Sequence, residues 1–238
     1  MQETWASDLM RLNKSFIIQR SGSSKKEIYL GLSLASEFIK ETIFDKGESI
    51  WIAQKQGRAK DGIDQTDPAL LKMIHLAERK SQSIAEYFTS LKVVPVSISY
   101  ELDPNDRLKA FELAAVDSNT PYVKEKNEDL KSIANGVQGF KGHVHITISD
   151  PLVPSPDLTY EDLATLITNK IVSTYYLHST NYAAYEMLNP GSNIAKGHFD
   201  LSHTQELAKR LEGLEGAVGS KLLEQYANPV IQQISLNR

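Results

Sequence analysis

The chain has 238 residues, 41% hydrophobic and 24% charged, the balance of a folded globular protein with one large domain or a domain plus an appendage. Thirty acidic against 26 basic side chains leave a net charge of −4, which argues against general nucleic-acid binding, where a basic surplus is expected. Cysteine is absent, so disulfides, zinc–thiolate sites and cysteine nucleophiles are excluded, and a reducing cytoplasm is the expected compartment.

No stretch approaches the roughly 18 consecutive apolar residues of a bilayer-spanning helix, and Met1 to Thr4 do not open a secretory signal. Surface contact with a membrane needs only an apolar or basic face and stays compatible with the sequence. In chain order, Phe16-Ile17-Ile18 reads as a short buried strand ending in the polar turn Ser21–Ser24. Ser24 is placed to cap a helix whose stripe Ile28, Leu32, Ala35, Ile39 and Ile43 recurs at helical spacing. Ile50-Trp51-Ile52-Ala53 reads as a second strand, and the β–α–β order predicts parallel pairing through a right-handed crossover. Asp67-Pro68 starts another helix, broken near Arg79-Lys80-Ser81 and resuming to Tyr87-Phe88. Val93 to Tyr100 is the clearest strand, with Pro95 suiting an edge or a bulge. A short helix is expected around Leu108 to Ala114 within a polar excursion. From His143 to Ser149 the apolar and polar residues alternate, as in a half-buried strand. Beyond Pro154 the character turns helical. Thr159 and Asp162 form a variant capping box ahead of Leu163, Ile167 and Ile171, and a last helix carries Leu207, Leu211, Leu214, Val218 and Leu222. The fold class read from this order is α/β, with a mostly parallel or mixed sheet flanked by helices over residues 1–154 and a helical C-terminal extension over 155–238.

Two of these strands deliver basic residues just past their carboxyl ends. Arg20 follows the first, and Gln56-Gly57-Arg58-Ala59-Lys60 follows the second. Ligands of open α/β sheets gather at such strand ends, an arginine fork matches phosphate oxygens two at a time, and a glycine permits close backbone approach. Either arginine alone reads as an ordinary surface cation; together, with Gly57 beside one, they favour a phosphate-ester site.

At this point the sequence resembles the glycerol-3-phosphate and 1-acylglycerol-3-phosphate acyltransferases. Phe16-Ile17-Ile18-Gln19-Arg20 resembles that family's Phe-Ile-x-Arg motif with one extra apolar residue. Gln56-Gly57-Arg58-Ala59 sits where the family has Glu-Gly-x-Arg or Glu-Gly-Arg after a strand, and Val94-Pro95-Val96 matches its Val/Ile-Pro strand, with Tyr100-Glu101 as a further echo. The resemblance spans about residues 5 to 153 and rests on the order and spacing of the motifs. It implies acyl transfer from acyl-CoA or an acyl-carrier protein, with no resident cofactor, to a hydroxyl of glycerol-3-phosphate or its monoacyl derivative, lysophosphatidate. It implies that Arg20 and Arg58, with Gly57 and Lys60, hold the acceptor's phosphate, that Gln56 stands in the place of the family's acidic residue, and that Pro95 shapes the acyl-donor side. Peripheral contact at the inner face of the cytoplasmic membrane goes with that role.

The family's catalytic His-x-x-x-x-Asp lies upstream of the Phe-Ile-x-Arg strand, where its histidine takes the proton from the attacking hydroxyl. No histidine precedes Phe16, so the base is expected upstream of Met1 and no catalytic residue is assigned within this chain. The alternative function is therefore a non-catalytic phosphate- or lysophospholipid-binding module. His145 to Asp150 fits the His-x-x-x-x-Asp spacing literally, but on an extended strand its ends point to opposite faces about 16 Å apart. His143 and His145 share a strand face and could ligate a metal, but without a clear third ligand they read as a solvent-facing pair. His178, His198 and His203 read as surface or capping residues.

Overall fold

The computed structural model describes residues 24–55, 59–118, 122 and 127–237. They belong to two compact units interleaved along the chain. One comprises the residues up to Lys55 with Thr66–Val93 and Leu152–Ala164; the other comprises the stretch ending at Gln65 with Val94–Pro151 and everything from Thr165 onward. The helices beyond residue 155 thus contribute to both units.

In the first unit, helix α1 (Lys25–Lys40) begins where expected, with the Ser24 hydroxyl accepting from the Glu27 amide at 3.2 Å. Of its apolar stripe, Ala35 and Ile39 are buried, while Ile28, Leu32 and Ile43 are half-buried. The helix widens into a π turn over Glu41–Asp45. Asp67 caps α2 (Pro68–Ile74), its carboxylate accepting from the Ala69 amide at 2.8 Å, and Pro68 occupies the first turn, where no amide hydrogen is needed. A 3₁₀ turn (His75–Ala77) follows, and a Ser83–Glu86 capping box opens α3 (Ile84–Ser90). The Ser36 hydroxyl ties α1 to this turn, donating to the Ile74 carbonyl at 2.8 Å and accepting from the Ala77 amide at 2.9 Å.

His75 is 2% exposed. Its ring stacks on Tyr87 at 5.1 Å and meets Phe88 and Tyr160 edge-on. Nε2 lies 3.1 Å from the Gln82 carbonyl, which can only accept, so that nitrogen carries the proton and Nδ1 accepts from the Tyr160 hydroxyl at 2.9 Å. Burial lowers this histidine's pKa, with the Gln82 bond and the Glu78 charge opposing.

The expected strand at Ile50–Ala53 does not form; these residues have no regular structure, and Trp51 is 72% exposed. An apolar run becomes a strand only where a neighbour accepts its backbone groups, and just beyond this run the Gln54 carbonyl accepts from the Asp67 amide at the start of α2 instead. The expected strand at residues 16–18 lies outside the described residues.

The second unit holds both later strands, β1 (Val96–Tyr100) and β2 (Val144–Ile148). They pair antiparallel, from Val96 opposite Ile148 to Tyr100 opposite Val144, so the sheet of the described residues is two-stranded and antiparallel rather than mostly parallel or mixed. Its apolar set faces outward, with Val144, Ile146 and Ile148 exposed, and its small polar set faces in. The buried Ser97 hydroxyl and that of Thr147 both donate to the Thr174 carbonyl, at 3.0 and 3.1 Å, and buried Ser99 pairs with His178 Nε2 at 3.1 Å.

The helices of this unit are α4 (Asp106–Asp117), α5 (Glu128–Gln138), most of α6 (Tyr160–Thr174), α7 (Ser179–Leu188), α8 (Leu201–Leu211) and α9 (Gly216–Leu236). In α6 the Thr159 hydroxyl and Asp162 carboxylate close the capping box read from the sequence, and Leu163, Ile167 and Ile171 are buried. The expected last helix is two helices, α8 and α9, separated at 212–215. Gly213 and Gly216 hold φ of +72° and +54° there, a left-handed backbone that other residues rarely adopt. Ala110, Ala183, Ala184 and Ala227, all fully buried, let α4, α7 and α9 approach closely around Leu207 and Leu222. Asp106, 2% exposed, lies in this packing, where its carboxylate accepts from Arg210 Nη1 at 2.6 Å and the Tyr226 hydroxyl at 2.7 Å. A buried carboxylate is tolerated only when so compensated.

Candidate functional site

The segment after the Gln-Gly-Arg run is fastened to α9. Gly62 has φ +72°, and a side chain there would collide with the Gln225 carbonyl, so only glycine allows this approach. Asn228 donates to the Asp61 carbonyl at 2.7 Å. Gln232 both donates to the Asp64 carbonyl and accepts from its amide, each at 2.9 Å. With Gln225 these make three amide side chains at i, i+3 and i+7, a polar stripe along one face of the helix.

This docking encloses a cavity of about 190 Å³ between residues 59–64, the end of β1, the start of α7 and α9. Lys60, Asp64, Asp103, Lys109, Tyr175 and Gln225 supply most of its polar wall. Both lysines are already paired, Lys60 with Glu112 and Lys109 with Asp103 at 2.5 Å. The lining charge is thus balanced, two ammonium groups against the carboxylates of Asp64 and Asp103. Burial raises the Tyr175 pKa, and the neighbouring Asp64 and Asp103 carboxylates and Tyr100 raise it further, so its phenol stays protonated and is a hydrogen-bond donor. The Tyr226 hydroxyl, held protonated first by burial and then by Asp106, accepts from the Asp103 amide at 2.9 Å while donating to Asp106. Gln225 Nε2 donates to the carbonyls of Asp106 and Lys221, at 3.0 and 3.1 Å, but its buried Oε1 has no partner. Beside this cavity, a hollow of about 20 Å³ bordered by Lys60, Asn105 and Glu112 has room for one water, and the buried Asn105 Oδ1 also has no partner.

Of the residues nominated from sequence, Lys60 lies in the cavity wall. Pro95 is buried just ahead of β1, where its carbonyl accepts from the Ser149 amide at 3.0 Å; it closes the end of the sheet and does not line the cavity. Arg20, Gln56, Gly57 and Arg58 lie outside the described residues; Arg58 immediately precedes Ala59, which lines the cavity. Tyr175, Asn181, Gln225 and Tyr226 come from the helical tail, which sequence reasoning left without a role. The Gln225, Asn228 and Gln232 spacing is the signal that marks it.

The histidines take the solvent-facing or capping places read for them, with one addition at His178. His178 is 5% exposed rather than on the surface, and burial lowers its pKa while its bond to Ser99 and the Glu101 charge oppose. It does occupy the capping position of α7, its amide donating to Asn181 Oδ1 at 2.7 Å. His145 stacks on Tyr176 at 4.6 Å. His203 joins the cap of α8 through Asp200 at 2.8 Å, and His198 stacks on Tyr182 at 4.2 Å. Among the described residues no group of three or more His, Asp or Glu is arranged to hold a metal ion, and no helix is long and apolar enough to cross a membrane. Comparison with protein-family models, with curated proteins and with solved structures gives no match.

Proposed function

We propose that this chain carries the acceptor-binding part of a phospholipid/glycerol acyltransferase. In that role it takes glycerol-3-phosphate or 1-acylglycerol-3-phosphate, whose free hydroxyl receives a fatty acyl group from acyl-CoA or an acyl-carrier protein. One observation carries the reading: the run Gln56 to Gly62, the part of the sequence most like the family's phosphate motif, leads directly into the wall of the 190 Å³ polar cavity at Ala59, Lys60 and Gly62. The lining charge within the cavity is balanced, so the positive charge that favours a phosphate is assigned to Arg58, which precedes the cavity-lining Ala59 and Lys60 in the sequence. The two-stranded sheet is, on this reading, part of an acyltransferase-type domain, and contact is with the inner face of the cytoplasmic membrane.

No histidine is among the described residues that line the cavity, which favours a second reading in which the same pocket binds a phosphate ester without chemistry. Titration of the chain with glycerol-3-phosphate, followed by calorimetry, tests what both readings share. Saturable binding is expected, weakened at least ten-fold in Arg58→Ala, since a charge-assisted hydrogen bond contributes about 1.5–3 kcal/mol. Equal binding by wild type and Arg58→Ala overturns both. Thioester-dependent acylation above blank selects the enzyme, and binding without turnover selects the module.

A further inference from the structure

Gln225 is 9% exposed, and its Oε1 is one of five buried side-chain atoms among the described residues that lack a hydrogen-bond partner. It is the residue of the 190 Å³ cavity wall with that property. A buried acceptor left unmade costs about 1–3 kcal/mol, so the position calls for a donor that the protein does not itself supply. Tyr175 lines the same cavity, and its phenol, kept protonated by burial, is a donor that makes no hydrogen bond to the described residues. One acceptor and one donor in a single cavity match a hydroxyl, which both donates and accepts. The charges around them cancel, Lys60 and Lys109 against Asp64 and Asp103, which suits an uncharged moiety inside and leaves an anionic one at the mouth.

We propose that the cavity is a recognition site for the hydroxyl-bearing, uncharged part of a small polyol ligand. Gln225 Oε1 accepts from a ligand hydroxyl, and the Tyr175 phenol donates to one. This rests on the acceptor-binding reading only for the identity of the ligand's other end; it adds that the polyol end enters first and that α9 supplies specificity. The ligand hydroxyl held here is then sheltered from an acyl donor, so it is the hydroxyl that is not acylated. Gln225 and Tyr175 are specificity-determining residues, not catalytic ones.

The test compares three probes by calorimetry or ligand-observed NMR: glycerol-3-phosphate, ethyl phosphate, which keeps the phosphate without the hydroxyls, and glycerol, which keeps the hydroxyls without the phosphate. Wild type is set against Tyr175→Phe, which keeps the ring and removes only the phenol oxygen, and against Gln225→Met. Circular dichroism confirms folding, and if Gln225→Met does not fold, Tyr175→Phe carries the test. Glycerol-3-phosphate and glycerol should each bind about three- to ten-fold more weakly in the variants, the loss of one neutral hydrogen bond, while ethyl phosphate is unchanged. Glycerol binding that depends on these residues, without binding of either phosphate ester, supports the polyol site and overturns the phosphate reading. Glycerol-3-phosphate binding that both variants leave within two-fold of wild type overturns the polyol site and keeps the phosphate reading. Absence of binding by all three probes overturns both.

Discussion

Gly62 is the point where the loop carrying Lys60 meets α9, and Gly62→Ala probes that junction. Two costs add. An L-residue at φ +72° costs about 1–2 kcal/mol. The new Cβ would also overlap the Gln225 carbonyl, so the loop must move away from the helix. That movement breaks the bonds from Asn228 to Asp61 and between Gln232 and Asp64, three hydrogen bonds at about 1 kcal/mol each. The sum is about 4–5 kcal/mol. Gly191→Ala separates the terms, because Gly191 has φ +81° with nothing near the position of a Cβ, so only the backbone cost of about 1–2 kcal/mol applies. In urea unfolding followed by far-ultraviolet circular dichroism, a slope near 3 kcal/mol/M converts these to midpoint drops of about 1.5 M for Gly62→Ala and about 0.5 M for Gly191→Ala. Equal drops would show that the loop is not pinned to α9 and that the cavity wall is not held as described.

Three further outcomes are expected. Asp106→Asn leaves Arg210 and the Tyr226 hydroxyl facing a neutral partner in a buried site and should destabilise by about 3–5 kcal/mol, measured by the same unfolding experiment. Leu222→Ala opens a hole in the packing of α4, α7, α8 and α9 and should cost about 2–5 kcal/mol in that measurement. His75 and His178 both have pKa values below the ordinary value near 6.5, so the unfolded chain binds protons that the folded chain refuses. Stability should therefore hold above about pH 6.5 and decline as the pH falls from there through the lower folded values. His75→Gln should flatten part of that slope in urea midpoints taken from pH 8 to pH 5, and an unchanged slope would remove His75 as a contributor.

Local signals were legible where a short stretch satisfies its own backbone. Ser24, Asp67 and the Thr159–Asp162 box each cap the helix their spacing promised, because a cap needs only a side chain and an amide two or three residues apart. The strands read over Val93 to Tyr100 and His143 to Ser149 also form, over Val96–Tyr100 and Val144–Ile148, but their partners were not legible: an apolar run says that a segment can be extended, not which strand will accept its amides. Ile50–Ala53 shows the same limit, an apolar run that finds no ladder among the described residues. In the cavity, Lys60 was found through its motif. Tyr175 and Gln225 were missed because more than a hundred residues separate them from Lys60, and their proximity is created by the glycine at position 62 and by amides on α9. His178 was read as a surface or capping residue and does cap its helix, but its burial was not legible because nothing in the sequence near it announces Ser99, 79 residues earlier.

The sheet's outward isoleucines have a consequence for anyone altering this surface. Sliding β2 by a single residue against β1 would turn Ile146 and Ile148 inward and His145 and Thr147 outward, so hydrophobic burial favours the slipped alignment while the bond from the Thr147 hydroxyl to the Thr174 carbonyl opposes it. The observed alignment is thus guarded by the polar contact of Thr147 rather than by oil. Threonine in place of Ile146 and Ile148 would weaken the pull toward the wrong alignment at no cost to the interior, whereas alanine at Thr147 would take away the guard.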